Sequence, residues 1–316
     1  MTIARTTKKK SGKSLSGAKP KRRKPAKTEL SSVLSPQSDL AKPKRVVVNR
    51  LNDLTAREWL PETVSVWTQR GLGKGHIHAQ IEREHPAPFS FQDVGRLIRF
   101  FTKRGDLVLD PFVGVGSTLK AAALAGRRGI GVELNTRYVS LARLRLKLEL
   151  NGEAGVCRDQ QVIRGDARVV LRKLEKDSIK LVVTSPPYWT ILHKEDHKAR
   201  QERVSGGLDT RYSADKADLG NIEEYSTFVT TLADTLQLTR PLLRDGGHMC
   251  LVVGDFRHKS RYFMFHADIA RELENRGFTL KGITVLYQRH KRVFPYGYPY
   301  SYVPNLHHQY IVILEK

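Results

Sequence analysis

The chain has 316 residues, with 55 lysines and arginines against 32 aspartates and glutamates, so its formal net charge is +23. No apolar run reaches the roughly 20 residues that a membrane-spanning helix needs. The two cysteines, Cys157 and Cys250, exclude a disulfide framework and a cysteine-rich zinc module. The excess of positive charge favours a polyanionic partner, with nucleic acid as the leading candidate.

The first 50 residues carry more than half of this excess. They hold 15 lysines and arginines against two acids, Glu29 and Asp39, and contain no Phe, Tyr or Trp. Such a segment cannot bury enough apolar surface to offset its ordering entropy, so we predict a disordered basic arm over residues 1–50 and one folded domain over residues 51–316. The arm either attaches to phosphate backbones, serves as a nuclear address, or only solubilises the chain.

Helices and strands alternate from residue 91 onward, whereas residues 54–84 give no clear assignment. Helical spacing of Val94, Leu97, Ile98 and Phe101 predicts the first helix of this part. The predicted helices are 91–102, 118–125, 137–150, 226–243 and 268–276. The predicted strands are 106–110, 129–133, 161–164, 179–184, 248–253, 281–287 and 310–314, with a turn at 245–247. This alternation predicts an α/β fold with a mostly parallel sheet.

A glycine-containing turn follows the first of these strands, in the stretch DPFVGVGST over residues 110–118. Gly114 and Gly116 allow a close approach between backbone and ligand, and ligands bind at the carboxyl ends of strands in open α/β sheets. The stretch is not a P-loop, because Gly-Lys-Ser/Thr is missing, and it lacks the full GxGxxG pattern. A purely structural turn remains an alternative. The candidate cofactor-binding residues here are Asp110, Pro111, Phe112, Gly114, Gly116, Ser117 and Thr118.

Carboxylates end the next two predicted strands. Glu133 lies 23 residues after Asp110, about the distance at which an acid reaches ribose hydroxyls in nucleotide-binding sheets. Asp166 could accept a hydrogen bond from an adenine amino group. Each has an ordinary alternative, Glu133 as a surface acid and Asp166 as a helix N-cap. Together with the glycine turn, they predict a nucleoside site.

A rigid bend, Ser185-Pro186-Pro187-Tyr188, follows the strand 179–184. Two prolines cannot continue a central strand, because they lack N–H donors. The Ser185 hydroxyl and the Pro186 carbonyl could accept the two hydrogens of an exocyclic amino group, while Tyr188 offers a flat face on which a base can stack. These four residues are the candidate catalytic residues; an ordinary proline-rich turn is the alternative.

These motifs together resemble those of the S-adenosylmethionine-dependent DNA methyltransferases that modify N4 of cytosine or N6 of adenine. The resemblance runs from about His85 to Lys316, with residues 110–118 as the cofactor motif and residues 185–188 as the catalytic motif. Residues 85–89, His-Pro-Ala-Pro-Phe, resemble the segment that closes over the methionine end of the cofactor, which adds His85, Pro86 and Phe89 to the candidate cofactor contacts. Glu133 and Asp166 lie where the family has its ribose and adenine contacts.

The resemblance implies a Rossmann-like methyltransferase fold over residues 51–316: a mostly parallel twisted sheet with helices on both faces and a C-terminal antiparallel strand. It implies S-adenosyl-L-methionine as cofactor and double-stranded DNA, with the target base flipped out, as substrate. A companion restriction endonuclease stays open, and the oligomeric state is unknown. We expect no membrane association, and a cytoplasmic, nucleoid-associated protein in a prokaryote or a nuclear one in a eukaryote.

The form of the catalytic motif bears on the target base. Ser-Pro-Pro-Tyr is typical of N4-cytosine members, while Asp- or Asn-Pro-Pro-Tyr is typical of N6-adenine members, so the sequence favours cytosine N4. The alternatives are an N6-adenine enzyme, an RNA amino-group methyltransferase, a protein-glutamine methyltransferase and an inactive DNA-binding protein. Neither cysteine lies in the Pro-Cys turn that methylation at C5 would use, and the histidines form no ligand-spaced set for a metal.

Two segments are candidate target-recognition regions. Ile191–Gly220 is long and polar, and Gln288–Asn305 combines basic residues with four tyrosines, which suits a strand laid across a groove. A disordered insert and an edge hairpin with core tyrosines are the respective alternatives. Many relatives with a similar cofactor motif have their catalytic motif earlier in the chain, so analogies for target recognition transfer poorly. The candidate DNA-binding residues are Lys194, Lys198, Arg200, Arg203, Arg211, Arg289, Lys291 and Arg292.

Overall fold

The computed structural model describes residues 48–69, 76, 80–85, 90–150, 159–190, 215–258 and 260–316. Residues Val48–Lys316 form one compact unit. Nearly all of the predicted basic arm, and residues 191–214 of the first recognition segment, lie outside the described residues. No helix within the described ranges is long and apolar enough to cross a membrane.

The elements alternate as the sequence predicts. The helices are α1 (Ala56–Trp59), α2 (Phe91–Phe101), α3 (Ser117–Leu124), α4 (Thr136–Glu149), α5 (Ala167–Val170), α6 (Tyr225–Gln237) and α7 (Phe265–Glu274). The strands are β1 (Val66–Thr68), β2 (Leu107–Asp110), β3 (Arg128–Glu133), β4 (Gln160–Arg164), β5 (Ile179–Thr184), β6 (Leu243–Val253), β7 (Phe256–His258), β8 (Arg261–Phe263), β9 (Thr279–Tyr287) and β10 (His308–Glu315).

The main sheet has the strand order β1-β9-β10-β6-β5-β2-β3-β4, and β7 and β8 form a separate hairpin. The neighbours from β6 through β5, β2 and β3 to β4 are all parallel. Strand β10 is antiparallel to both β6 and β9, and β1 pairs in parallel with β9. The mostly parallel sheet and the C-terminal antiparallel strand are therefore confirmed.

Helices cover both faces of the sheet. On one face, Val108 and Val252 pack in a cluster with Val94 and Ile98 of α2. On the other face, Leu109 and Leu251 pack in a cluster with side chains of α6 and α7. Because neighbouring residues of one strand point to opposite faces, strands covered on both sides read as continuous apolar runs. The strands β2 and β5 and residues 249–253 of β6 show this pattern.

Three differences from the sequence prediction lie in the second half of the chain. The helix predicted over 226–243 ends at Gln237, and a short 3₁₀ turn containing Pro241 leads directly into β6 at Leu243. The turn predicted at 245–247 lies inside β6, where Gly246 has a φ of 65° and the register against β5 shifts. The hairpin of β7 and β8 was not predicted, because its three-residue strands are too short for a periodic pattern.

Candidate active site

The carboxyl ends of β2, β3, β4 and β5 meet at one edge of the sheet, and the turns that follow them line a cleft of about 740 Å³. Clefts at this edge are the usual ligand sites of open parallel sheets. The structure thus brings residues from all of the predicted motifs together. The predicted residues that line the cleft are His85, Pro111, Phe112, Glu133, Asp166, Ser185, Pro186, Pro187 and Tyr188.

Asp110 does not line this cleft, although the sequence placed it among the cofactor contacts. Its side chain is buried and accepts hydrogen bonds from the Thr118 hydroxyl of α3 and from the Thr184 hydroxyl at the end of β5. The backbone N–H of Phe112 also donates to it, at 3.0 Å. Burial raises the pKa of Asp110 to about 6, although these hydrogen bonds oppose the rise. Asp110 therefore links the glycine turn to β5, the strand that leads into the turn Ser185–Tyr188.

The remaining residues of the glycine turn shape the cleft without lining it. The N–H of Gly114 donates to Glu133 Oε2 at 2.9 Å, and Gly116, with a φ of 84°, is the N-cap of α3. A Cβ on Gly116 would lie 3.2 Å from the Cβ of Ala142, so α4 can pack closely here. Ser117 accepts a hydrogen bond from Arg145 at 2.8 Å. The turn thus makes close contacts with α4 and with Glu133.

Glu133 lies between the glycine turn and the beginning of α4. Its Oε2 accepts from the N–H of Gly114, and its Oε1 accepts from the N–H of Asn135 at 2.7 Å. Burial raises the pKa of Glu133 to about 7, and the nearby carboxylates of Asp110 and Asp218 contribute in the same direction. The carboxyl group is thus fixed in orientation and retains lone pairs for a hydroxyl donor.

Asp166 combines the two roles that the sequence left open. Its side chain caps α5 by accepting from the N–H of Arg168 at 2.8 Å, and it forms an ion pair with the guanidinium of Arg168 at 2.7 Å. Burial raises the pKa of Asp166, but the hydrogen bonds from Arg168 outweigh this and lower it overall. Because Asp166 also lines the cleft, the N-cap does not exclude a ligand contact.

The candidate catalytic turn, Ser185–Tyr188, is fixed by packing and hydrogen bonds on the side away from the cleft. The ring of Trp189, the next residue, is buried in an aromatic cluster with Tyr225, Phe256 and Phe263. The Tyr188 hydroxyl interacts with the Ser185 side chain and the backbone of Gly254, and burial raises its pKa. The turn therefore offers Ser185 and the ring of Tyr188 to the cleft from a fixed backbone.

His85 lines the cleft. Its ring packs on Tyr138 with the ring centroids 4.9 Å apart, and a Cβ on Gly114 would lie 3.2 Å from its Nε2. The preceding turn is anchored in the interior by an ion pair between Glu82 and the fully buried Arg145, at 2.7 Å. Burial raises the pKa of Glu82. Pro86 and Phe89, also expected to contact the cofactor, lie outside the described residues.

Sequence reasoning missed several residues of the cleft. Asn135 and Tyr138 of the α4 region line it, and so do Ala217, Asp218 and Leu219. The last three fall in the segment 191–220, a candidate target-recognition region, so the described end of that segment also lines this cleft. Asn135 could have been predicted to line the cleft, because it lies two residues after Glu133. No local sequence pattern indicates the same for Asp218. Within the described residues, no cluster of three His, Cys, Asp or Glu side chains could hold a metal ion.

The second recognition segment, 288–305, is exposed at the same edge of the sheet. Tyr298, Tyr300 and Tyr302 are 82%, 94% and 86% exposed, so the alternative of ordinary core tyrosines is wrong. Arg289, Lys291 and Arg292 are exposed as well. An open cleft lies between this segment and the β7–β8 hairpin and is lined by Asp255, Arg257, Lys291, Arg292 and Phe294, among others. The other predicted DNA contacts, Lys194, Lys198, Arg200, Arg203 and Arg211, lie outside the described residues.

Comparison with known proteins adds independent findings. The Type II methyltransferase M.MthZI of Methanothermobacter thermautotrophicus is 40% identical over 91 residues, which are 28% of this chain and 25% of that protein. The Type II methyltransferase M2.DpnII of Streptococcus pneumoniae is 38% identical over 87 residues, 27% of this chain and 30% of that protein. The chain thus matches only about a quarter to a third of the length of these curated relatives.

Among solved structures, a DNA modification methylase of Thermus thermophilus in complex with S-adenosyl-L-methionine is 29% identical, with 48% of this chain and 53% of that chain covered and a TM-score of 0.34. The model of the DNA methylase family that groups N6 and N4 methyltransferases matches residues 3–144 and 179–316, which is most of the chain. This protein therefore belongs to the N6/N4 DNA methylase family.

Proposed function

We propose that this protein transfers a methyl group from S-adenosyl-L-methionine to the exocyclic N4 of cytosine in DNA. The observation that carries the proposal is that the turn Ser185–Tyr188 opens into the same cleft as the Glu133 carboxyl group. A donor of methyl groups and an amino acceptor have to meet within bonding distance, and this cleft presents suitable groups for both. Family membership supports the reaction class.

The residues of the cleft fit the cofactor. Glu133 is oriented by two N–H donors and retains acceptor capacity for the ribose hydroxyls. Asp166 can accept from the adenine amino group, and Phe112, Tyr138 and His85 provide the flat and apolar walls that an adenosine needs. When bound, S-adenosylmethionine supplies a methyl group activated by a sulfonium.

The catalytic turn supplies acceptors for the target amine. The Ser185 hydroxyl and the Pro186 carbonyl accept its two N–H groups, which frees the nitrogen lone pair from delocalisation and stabilises the positive charge that develops on nitrogen. The two prolines hold these acceptors at a fixed separation, so little reorganisation is needed during the reaction. The ring of Tyr188 stacks on the base once it has left the helix.

The choice of cytosine over adenine rests on Ser185. The Ser-Pro-Pro-Tyr form of the turn is typical of N4-cytosine members of the family, and the Asp or Asn typical of N6-adenine members is absent at residue 185. N6-adenine methylation on the same turn is the runner-up.

The first experiment identifies the product. We expect incubation with labelled S-adenosylmethionine and duplex DNA, followed by digestion and mass spectrometry, to yield N4-methylcytosine. N6-methyladenine would contradict the cytosine assignment and leave the reaction class intact. Label in RNA but not in DNA would contradict the substrate class.

The exposed segment 288–305 is our proposed DNA interface. Its basic side chains can neutralise phosphates while the exposed tyrosines stack on unpaired bases. The basic arm predicted over residues 1–50 would add a sequence-independent attraction to the same polyanion. Residues 51–316 act as the methyltransferase domain in this proposal.

Arg289 and Arg292 provide a test of this interface. We expect the double variant Arg289→Gln/Arg292→Gln to bind DNA more weakly, with the slope of log K against log salt reduced by about 2, because each neutralised phosphate contributes about 0.9. Lys291 is left intact, since its ammonium group donates to the Leu306 carbonyl within the segment. The measurement is fluorescence anisotropy with a labelled duplex at several salt concentrations.

The matched control is Lys173→Gln/Lys176→Gln, which removes two exposed charges near the opposite end of β5. It changes the net charge by the same amount and should leave the slope close to that of the wild type. Equal slopes for the two double variants would show that 288–305 contributes only through the net charge and would contradict the assignment.

A further inference from the structure

Three glutamine side chains form a hydrogen-bonded chain across the edge of the sheet that carries the candidate active site. Gln69 follows β1, Gln288 follows β9, and Gln309 lies near the beginning of β10. Gln288 Nε2 is 3.0 Å from Gln69 Oε1 and 3.1 Å from Gln309 Oε1. The far end of the chain reaches the catalytic turn, because Gln309 Nε2 donates to the Tyr188 hydroxyl at 2.9 Å.

The three amides run in one direction in the structure. Gln309 donates an N–H group to the Tyr188 hydroxyl, so its oxygen faces Gln288, and the oxygen of Gln69 faces Gln288 from the other side. Gln288 therefore donates in both directions. Its own Oε1 is buried and has no hydrogen-bond partner among the described residues. An unsatisfied buried oxygen is costly, and turning the Gln288 amide alone would set oxygen against oxygen at both neighbours.

The chain ends at the group that holds Ser185. Besides Gln309, the Tyr188 hydroxyl interacts with the Ser185 side chain and with the backbone of Gly254. Gln309, on β10, is thus linked to the Ser185 side chain through the Tyr188 hydroxyl.

The middle member of the glutamine chain, Gln288, belongs to the proposed DNA interface. Gln288 is the first residue of the segment 288–305, and it is held in place by a hydrogen bond from its N–H to the His307 carbonyl at 2.7 Å. Arg289 follows it directly and is exposed. When bound DNA displaces this segment, the side-chain amide of Gln288 moves with it, and this amide sets the orientation of Gln309.

We propose that Gln309 is a positioning residue: it fixes the ring of Tyr188 and, through the Tyr188 hydroxyl, the Ser185 side chain. Gln288 sets the orientation of Gln309 and so couples the segment 288–305 to the catalytic turn. The inference rests on the proposed function of that turn. Neither glutamine contacts the reacting atoms.

The kinetic test is a double-mutant cycle between Gln309 and Tyr188. Gln309→Met keeps the shape of the side chain and removes its donor, and we expect it to lower kcat by about tenfold, the effect of about one hydrogen bond. KM for DNA and the Kd for S-adenosylhomocysteine should change by less than about threefold. Gln161→Met, at an exposed position on β4 at the far edge of the sheet, is the matched control and should behave as wild type.

The double-mutant cycle distinguishes a positioning role of Gln309 from a contribution to the stability of the fold. If Gln309 acts through the Tyr188 hydroxyl, the methionine substitution has no further effect in a Tyr188→Phe background, so the two changes are not additive. Additive losses in kcat, or a loss confined to cofactor affinity, would overturn the proposal. A variant that unfolds is recognised from its thermal melting curve.

A spectroscopic readout is independent of activity. The chain has 11 tyrosines, so protein labelled with ¹³C at the tyrosine Cζ gives a resolvable NMR spectrum in which Tyr188→Phe assigns the Tyr188 resonance. We expect both Gln309→Met and Gln288→Met to shift this resonance, although Gln288 does not touch Tyr188. An unmoved resonance in Gln288→Met would overturn the coupling. A wild-type protein without methyltransferase activity would overturn the proposed function alone, because the shifts are still measured.

Discussion

Replacing Ser185 with alanine is expected to lower kcat for methyl transfer by about 10²- to 10³-fold, the range seen when one preorganised hydrogen-bonding group is removed from a reacting centre. In the proposed function the hydroxyl is one of two acceptors for the target amine, and it is held by the Tyr188 hydroxyl at the start of a turn that two prolines make rigid. The remaining acceptor, the Pro186 carbonyl, cannot engage both N–H groups. Single-turnover kinetics with enzyme in excess measures the chemical step directly.

The other properties of this variant locate the defect. The Kd for S-adenosylhomocysteine should stay within about threefold of wild type, because Glu133 and Asp166 are untouched. Ser178→Ala is the matched control, since Ser178 immediately precedes β5 at its opposite end and its hydroxyl donates only to the Glu175 carbonyl. A Ser185→Ala enzyme with kcat close to that of the control would contradict the acceptor role.

The positions of the two motifs could be predicted because both depend on local patterns. A strand followed by a glycine turn, and a strand followed by two prolines, each fix the backbone within a few residues. Since carboxyl ends of parallel strands meet at one edge, the alternation of elements was enough to bring Glu133, Asp166 and Ser185 into one cleft. The exposed basic segment 288–305 followed from composition in the same way.

The roles of individual side chains within those motifs could not be predicted. Asp110 was expected to contact the cofactor, yet its partner Thr184 is 74 residues away and captures it in the interior. The buried Arg145 reaches Glu82 across 63 residues. In the glutamine chain, Gln69 and Gln288 are hydrogen-bonded although they lie 219 positions apart. Such contacts depend on the register between strands and on which side chains meet across the sheet, and no periodicity of the sequence carries that information.

The most informative single substitution for the cofactor is Glu133→Gln, which we expect to weaken binding of S-adenosylmethionine by about 100-fold at pH 8. Each hydrogen bond from a hydroxyl to a charged acceptor contributes about 1.5–3 kcal/mol to the binding free energy. The glutamine side chain keeps the volume of Glu133 but lacks its charge. Isothermal titration calorimetry gives the Kd. Glu223→Gln, at an exposed position preceding α6, is the matched control and should bind as wild type.

The pH dependence of binding distinguishes this role from a structural one. Burial holds the pKa of Glu133 at about 7 in the free protein, and hydroxyl donors favour its charged form, so binding releases a proton. The affinity of the wild type should therefore fall as the pH is lowered through 7, by up to tenfold per pH unit. The affinity of Glu133→Gln should stay flat between pH 6 and 8. A wild-type Kd without pH dependence in that range would contradict the assignment of Glu133 to the cofactor.

The Glu133 carboxyl group affects the stability of the free protein in the opposite direction: cofactor affinity should rise with pH, whereas the stability of the free protein should fall. The pKa of Glu133 rises from 4.5 to about 7 and that of Asp110 from 3.8 to about 6 on folding, so each stabilises the fold fully below its unfolded pKa and ceases to do so as the pH rises through its folded one. For Glu133 the rise corresponds to about 3 kcal/mol. Urea unfolding between pH 5 and 8 should therefore show a smaller loss of stability in Glu133→Gln than in wild type.

The cofactor favours the charged carboxylate of Glu133 and should therefore restore stability to the wild type at pH 8. It should stabilise the variant much less, because a ligand that binds only the native state stabilises it to an extent that increases with its affinity.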